Sequence, residues 1–372
     1  MANLVIRPVA SATDLKAFID LSWHIQNQDP NWVPPLKSEI KKLLSPQHPF
    51  WLKAEGQLFL AERNGQLVGR IAALMDMAHI EYHKELAGAW GFFECKNDPE
   101  AARALFDAAQ DWCMQKGLTH FRGPLNPSTN YEIGLLVEGF NSPPCVMMTY
   151  NPPWYAQLIE ASGQTKEKDV LAFQFVRGHK LPQWMLDVSH RLVDKGEVHI
   201  RHMDKKTLLS EVELMSSLYR SAWARNWGFV PMSHAEIVAT AEALSPILDE
   251  ELAFFLYVGD DPAGVGLILP DVNPLLKRLN GSIGFTGVFK YLRYKSEIQG
   301  LRGLLFGIKP QYQQMGVPLV ALEYVLGLTE RKQQYNTLEM SWTLEDNTAV
   351  NDLLLDLGGR IYKRYRVYRK DF

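Results

Sequence analysis

Gln313-Gln314-Met315-Gly316-Val317-Pro318 follows a short apolar run, Leu304 to Ile308, and precedes Leu319, Leu322 and Leu326 at helical spacing. That order predicts strand, polar turn, helix. The first amides of a helix have no internal acceptor and carry the positive end of its dipole, so such a turn suits a pyrophosphate. Gly316 permits close backbone approach, and Pro318 at about the first helical position sacrifices no bonded amide. A strand-turn-helix with one glycine is also a common plain connection. Three carboxylates stand where proton transfer could be placed. Glu339 alternates with Leu338 and Met340 on a following strand, either as a base facing a cleft or as a solvent-facing edge residue. Asp271 ends a hairpin strand beside Asn273, and Glu132 closes the polar cluster Asn126-Pro127-Ser128-Thr129-Asn130-Tyr131. Asn130 and Tyr131 are candidate substrate contacts if that cluster lines a cleft, and solvated loop residues otherwise. Asn226 and Trp227, in an aromatic loop Asn226-Trp227-Gly228-Phe229, are substrate contacts or packed loop anchors.

The elements that must hold these groups occur twice. Residues 58 to 76 read as strand, Asn64-Gly65 turn, strand; residues 253 to 271 repeat the pattern around Asp260-Asp261-Pro262. At a constant offset Phe59 falls on Phe254, Gly69 on Gly264 and Asp76 on Asp271. Each hairpin is preceded by a strand (Leu4 to Arg7; Val198 to Arg201) and a helix (Asp14 to Gln26; Leu208 to Trp223). Each is followed by strand, helix, strand, shorter helix and strand. In the second half Asn347 is a predicted N-cap, Val350, Leu353, Leu354 and Leu357 form the stripe of the last helix, and Gly358 ends it. Arg177 to Gly196 predicts a turn and a connecting helix, so we expect domains 1–178 and 179–372. The second carries an insert over 273–299 that mixes Leu, Phe and Tyr with Lys and Arg, in the manner of a lid or an interfacial segment.

A length of 372 residues suits two domains, and 47% hydrophobic with 22% charged residues is the composition of a globular chain. With 39 basic against 42 acidic residues there is no global field for nucleic acid. The Tyr/Arg-rich tail Arg360 to Lys370 could bind an anionic surface, but its plainer reading is a terminal strand. Three scattered cysteines, Cys95, Cys113 and Cys145, argue against a disulfide framework and against zinc. No run approaches the roughly 18 apolar residues of a membrane span. A cytoplasmic protein is expected, with peripheral membrane contact left open.

Ile308-Lys309-Pro310-x-Tyr312-Gln313-x-x-Gly316-Val317, a strand, Asn347-x-x-Val350-x-x-Leu353-Leu354-x-x-Leu357-Gly358 and a closing strand together resemble the second half of a GNAT acyltransferase domain. The fold class implied is α/β (α+β): two tandem GNAT-like domains, each a mixed, mostly antiparallel sheet flanked by helices. The resemblance implies that Ile308, Gln313, Gln314, Met315, Gly316, Val317, Pro318 and Asn347 hold acyl-CoA or acetyl-CoA as cosubstrate, with no permanently bound cofactor or metal. Transfer to an amine acceptor would then draw on Glu339, Asp271 or Glu132 as proton-handling groups, and on Asn226, Trp227, Asn130 and Tyr131 as acceptor contacts. Two departures stand out. Pro318 removes an amide from the loop, and Leu354 occupies the place where many GNAT enzymes carry the Tyr that protonates the departing thiolate. In the first half the corresponding loop, Glu94 to Glu100, has no glycine and three acidic residues, so it should repel a pyrophosphate.

Gly134-Leu135-Leu136-Val137-Glu138-Gly139-Phe140, Tyr150-Asn151-Pro152-Pro153 and Leu344-Glu345-Asp346-Asn347 are similar to a family of bacterial tandem GNAT-like proteins, some of them linked to ceramide synthesis. That resemblance implies N-acylation of an amine, with a long-chain lipid amine among the acceptors. A GNAT-like module that binds CoA or another ligand without turnover, and an aminoacyl transferase of the FemABX kind, are the competing readings.

Overall fold

The computed structural model describes residues 3–284 and 287–372; Phe285 and Thr286 of the insert lie outside the described residues. The first half runs β1 (Leu4–Pro8), α1 (Ala12–Gln26), α2 (Lys37–Leu43), β2 (Ala54–Arg63), β3 (Gln66–Asp76), α3 (Met77–His83) and β4 (Ala87–Cys95). It continues with α4 (Pro99–Gln115), β5 (His120–Gly123), β6 (Leu125–Asn126), β7 (Glu132–Ile133), β8 (Leu135–Glu138), α5 (Tyr155–Ala161) and β9 (Thr165–Val176). The second half runs α6 (Gln183–Asp194), β10 (Val198–His202), α7 (Leu208–Trp223), α8 (His234–Leu244), β11 (Ala253–Val258), β12 (Asp261–Pro270), α9 (Asn273–Leu279) and α10 (Gly287–Tyr294). It ends with β13 (Gly300–Ile308), α11 (Val317–Leu326), α12 (Leu328–Arg331), β14 (Thr337–Leu344), α13 (Thr348–Asp356) and β15 (Arg360–Asp371).

The chain divides into two compact units. Unit 1 holds residues 1–170, 275–292 and 363–372; unit 2 holds 171–274 and 293–362. Within each unit the strand pairing is mixed and mostly antiparallel, as the fold class expected. In unit 1 the order is β1-β2-β3-β4-β5-β15, antiparallel except for the parallel pair β4–β5. In unit 2 it is β9-β14-β13-β12-β11-β10, with β13–β14 parallel and β10 to β13 antiparallel. Asn64 and Gly65 both take positive φ, 52° and 77°, which gives the first hairpin the twist its strands require. The second turn lies one or two residues earlier than expected: Gly259 takes φ 56°, while Asp261 and Pro262 already open β12. Pro262 is tolerated because it sits at the strand start, beside a bulge at Leu256/Tyr257.

Each unit has its own core. In unit 1 Trp90, Phe93, Phe106 and Phe121 pack with α4 and α5; in unit 2 Phe254, Leu256, Leu301, Leu338 and Met340 pack with α6, α11 and α13. Cations of β15 from Lys363 onward are paired within unit 1. Arg366 makes two bonds to buried Asp169 (2.8 and 3.1 Å) and Lys363 donates to the Ser142 carbonyl at 2.7 Å. The Arg/Tyr interleaving of the tail is therefore a strand's internal ion-pair pattern. No described helix is long and apolar enough to cross a membrane.

Candidate active site

The paired part of β13 and β14 is short. Gly300, Leu301, Arg302 and Gly303 match Thr337, Leu338, Glu339 and Met340; beyond that register the strands pair no further, although β13 runs to Ile308 and β14 to Leu344. Two parallel strands that part in this way leave a notch with open backbone groups on both sides. Leu304 is the extra residue of a bulge, since Leu267 faces Leu305 while Ile268 faces Gly303. On the other wall Trp342 takes φ 64°, a conformation that costs a bulky residue on the order of 1–3 kcal/mol. Trp342 Nε1 and Thr343 Oγ1 are buried with no hydrogen-bond partner.

The loop Gln313–Gly316 caps the open end of β13. Gln313 Nε2 donates to the Ile308 carbonyl at 2.9 Å, and Tyr312 and Lys309 both bond Asp261 (2.7 and 2.9 Å), so the turn is braced to the hairpin. These bonds hold the Asp261 carboxyl below the usual carboxylate range, Tyr312 contributing most. Gly316 takes φ 76°, and a Cβ there would lie 2.9 Å from Leu192 and 3.1 Å from Val188 of α6. Three loop amides, those of Gln314, Gly316 and Val317, find no acceptor among the described residues. The donor set is smaller than expected, because Met315 N is taken by the Tyr312 carbonyl and Leu319 N by that of Gly316. Pro318 proves to be the second helical residue, after Val317.

Arg302 and Glu339, opposite each other in the last paired stretch, are 0% and 2% exposed. Arg302 Nε lies 3.6 Å from Glu339 Oε1 and donates to Ser341 Oγ at 3.0 Å; its guanidinium stacks over Trp342, 4.6 Å from the ring centre. Tyr362 donates its hydroxyl to Glu339 Oε2, while Glu339 Oε1 receives no hydrogen bond. Glu339 is thus neither an edge residue nor solvent-facing: it is a buried carboxylate held by a cation and a phenol.

Nearer the loop, a Cβ at Gly307 would collide with the Trp223 indole at the end of α7. Tyr219 and Phe229 pack near it, and burial raises the Tyr219 phenol to about 12. Sequence reading missed Trp223, Arg302 and Tyr362. A signal existed for the first two: a glycine inside an apolar strand marks close approach, and an arginine in such a strand demands a partner.

Other candidates fall elsewhere. Asp271 N donates to the Gly300 carbonyl at 2.8 Å and Asp271 Oδ1 accepts from Asn273 N at 3.2 Å, an Asx-type turn at the closed end of β13. At about 3.3 Å per residue, that end is roughly 26 Å from Ile308. Asn226 accepts the Phe229 amide at 3.2 Å in the turn after α7; Trp227 lies in the same turn. Asn347 occupies the N-cap position of α13 but its side chain makes no capping bond; buried Asn351 reaches the Leu344 carbonyl instead (2.9 Å). Leu353, Leu354 and Leu357 face the core, whereas Val350 is exposed. Leu354, 2% exposed, has no polar atom to offer a leaving group.

Unit 1 lacks the notch. Its parallel pair also ends early, at Ala89/Arg122, but the freed edge of β4 is covered: Phe92 N donates to Asn126 Oδ1 at 2.6 Å, and a Cβ at Gly91 would meet the Leu125 carbonyl. Glu132 holds that plug by accepting from Asn126 Nδ2 (3.2 Å), and Asn130 and Tyr131 form its turn, Tyr131 packing edge-on to Phe50. At the end of β4, before the loop, Glu94 is buried among Tyr155 (2.6 Å), Gln26 and Ser22 (2.9 Å each).

The chain matches no family model. It is 35% identical over 99% of its length to the bacterial ceramide synthase of Caulobacter vibrioides, and 33% identical over 100% of its length to Protein YghO of Escherichia coli; 98% and 97% of those chains are covered. The chain belongs to their family. Among solved structures it resembles a tandem GNAT protein from the clavulanic acid biosynthesis pathway (TM-score 0.56, 12% identity, 99% of this chain and 98% of that one). A GCN5-related N-acetyltransferase from Sphaerobacter thermophilus is similar at TM-score 0.55 and 11% identity, covering 99% and 95%. The fold of this family member is a tandem GNAT fold, and the notch and loop lie in its second repeat.

Proposed function

We propose that the chain is an acyl-CoA-dependent N-acyltransferase that works with one of its two repeats. The observation that carries this reading is the β13–β14 notch, opening after Gly303/Met340 directly upstream of a loop with acceptor-free amides at Gln314, Gly316 and Val317. A pyrophosphate would take those amides, with the dipole of α11 behind them, and the thioester arm would lie along the freed edge of β13. The amine lone pair attacks the thioester carbonyl, the tetrahedral oxyanion draws on backbone N–H near the Leu304 bulge, and the C–S bond breaks to release the thiolate. Glu339 receives the amine proton, directly or through a water; Arg302 and Tyr362 hold its carboxyl group in place. The thiolate takes its proton from water, Leu354 having none to give.

A long-chain amino alcohol is the acceptor we favour, supported by the name of the Caulobacter relative, and the reaction is placed in the cytoplasm. A CoA-binding protein without turnover is the second reading, favoured by the aliphatic Leu354. Thermal unfolding with CoA, acetyl-CoA and palmitoyl-CoA tests the site: a ligand at 100 times its Kd adds about 2.7 kcal/mol. Absence of any shift with all three would sink both readings, whereas a shift without acyl transfer to sphingoid amines leaves only the second.

A further inference from the structure

From Val272 to Ser296 the chain carries Lys277, Arg278, Lys290, Arg293 and Lys295 and not one acidic residue. Its root is anchored in unit 1. Leu275 and Leu279 are buried, Lys37 N donates to the Gly281 carbonyl at 3.0 Å, Trp23 Nε1 bonds Asn280 Oδ1 at 3.1 Å, and Lys277 reaches the Pro30 carbonyl. Beyond that anchor the apolar residues stop packing: Ile283 is 52%, Phe289 67%, Tyr291 49% and Leu292 59% exposed. Around α10, at 100° per residue, Tyr291, Leu292, Phe289 and Arg293 follow one another on the outward side, while Gly287, Lys290 and Tyr294 are less exposed. Large aliphatic and aromatic side chains on one face, edged by cations, are what a helix lying in a membrane interface presents.

We infer that α10 docks this protein on an anionic phospholipid surface, Phe289 and Leu292 entering the headgroup boundary and Arg293 and Lys295 meeting lipid phosphates. The complementarity is of charge as well as polarity, because a segment with cations and no acids is drawn to an anionic leaflet and has no matching partner on a neutral one. A second copy of the chain is a poor alternative occupant, since facing copies would bring two cationic faces together. The inference is independent of the acyl-transfer reading: it concerns binding without substrate.

The test is co-sedimentation of the full chain with vesicles of phosphatidylcholine alone and vesicles with about a third phosphatidylglycerol, at low and high salt. Binding is expected only to the anionic vesicles, weakening with salt. Phe289→Ser with Leu292→Ser should weaken it about tenfold or more, and Arg293→Glu with Lys295→Glu about fivefold per charge. These positions are exposed, so melting curves of the variants should overlay that of the parent. No binding, equal binding to both vesicle types, or variants that bind as the parent does would overturn the inference. So would a Phe289/Leu292 variant whose only change is from dimer to monomer.

Discussion

Removing the charge of Glu339 separates its two roles. Arg302 and Glu339 are 0% and 2% exposed and 3.6 Å apart, so Glu339→Gln removes from the interior the carboxylate that faces the guanidinium across the strand pair. Breaking such a pair costs about 3–5 kcal/mol, and in a unit of this size each kcal/mol lowers Tm by about 2–4 °C, giving a fall of roughly 6–20 °C. Replacing both partners by apolar groups, Arg302→Met with Glu339→Leu, removes the charge and its desolvation together and should restore most of that loss. Tyr362 is only half-buried, so its hydroxyl can turn to water in the double variant. If Glu339 accepts the amine proton, turnover falls about 10²- to 10⁴-fold in Glu339→Gln and stays low in the double variant although its Tm recovers. The assay is calorimetric melting beside single-turnover acyl transfer from radiolabelled acyl-CoA. Recovery of turnover together with Tm would refute the base assignment and leave the pair a packing device. A Glu339→Gln protein that melts with the parent would refute the claim that the pair is a buried charge pair at all.

Gly316→Glu should abolish the thermal shift by CoA, because the site needs φ 76° and a Cβ there already lies 2.9 Å from Leu192; Asn97→Glu in unit 1 should leave the shift unchanged, and equal losses would overturn the assignment of one working repeat. Gly307→Val should displace Trp223 from β13 and cost about 1–3 kcal/mol by overpacking; combination with Trp223→Ala should recover part of it in urea unfolding, and strict additivity would refute the contact. His79 is held neutral to about pH 4, by burial first and by Arg122 and His83 next, with Glu85 opposing. Its folded pKa is depressed, so the unfolded chain binds the extra proton. Stability should therefore fall by up to about 3 kcal/mol as pH drops from 6.5 to 4, and His79→Gln should flatten that slope in urea titrations.

What the sequence disclosed were features written in local order. The paired hairpins, the helices at Leu208 to Trp223 and Pro99 to about Gln115, and the strand-turn-helix around Gln313 rest on apolar periodicity and turn residues that act within a few positions. Short helices such as α2 and α3 escaped notice because one or two turns leave no stripe to read. The acidic character of the first repeat was legible in part: Glu94 and Asp98 could be read from the sequence, but not that Glu94 is buried at the end of β4 against Tyr155, Gln26 and Ser22. What closes the unit 1 notch was not legible, since Asn126 reaches Phe92 across 34 residues and a polar turn cluster reads the same whether it plugs a sheet or lines a cleft. The same limit hid Arg302, Tyr362 and Trp223. Glu339 reads equally as a cleft base or an edge residue until the parallel register sets Arg302 opposite it, and register between strands joined by a helix is a tertiary fact. Glycine is the exception: Gly307 and Gly91 each mark a place where another part of the chain takes the volume of a side chain, an indole in one repeat and a carbonyl in the other. In the first repeat that occupant belongs to the plug that bonds the freed edge of β4; in the second, β13 pairs with β14 no further than Gly303 and the loop amides of Gln314, Gly316 and Val317 find no acceptor among the described residues. If one repeat alone binds the cosubstrate, the difference between the two lies less in the fold, which is shared, than in which backbone groups the rest of the chain leaves unpaired.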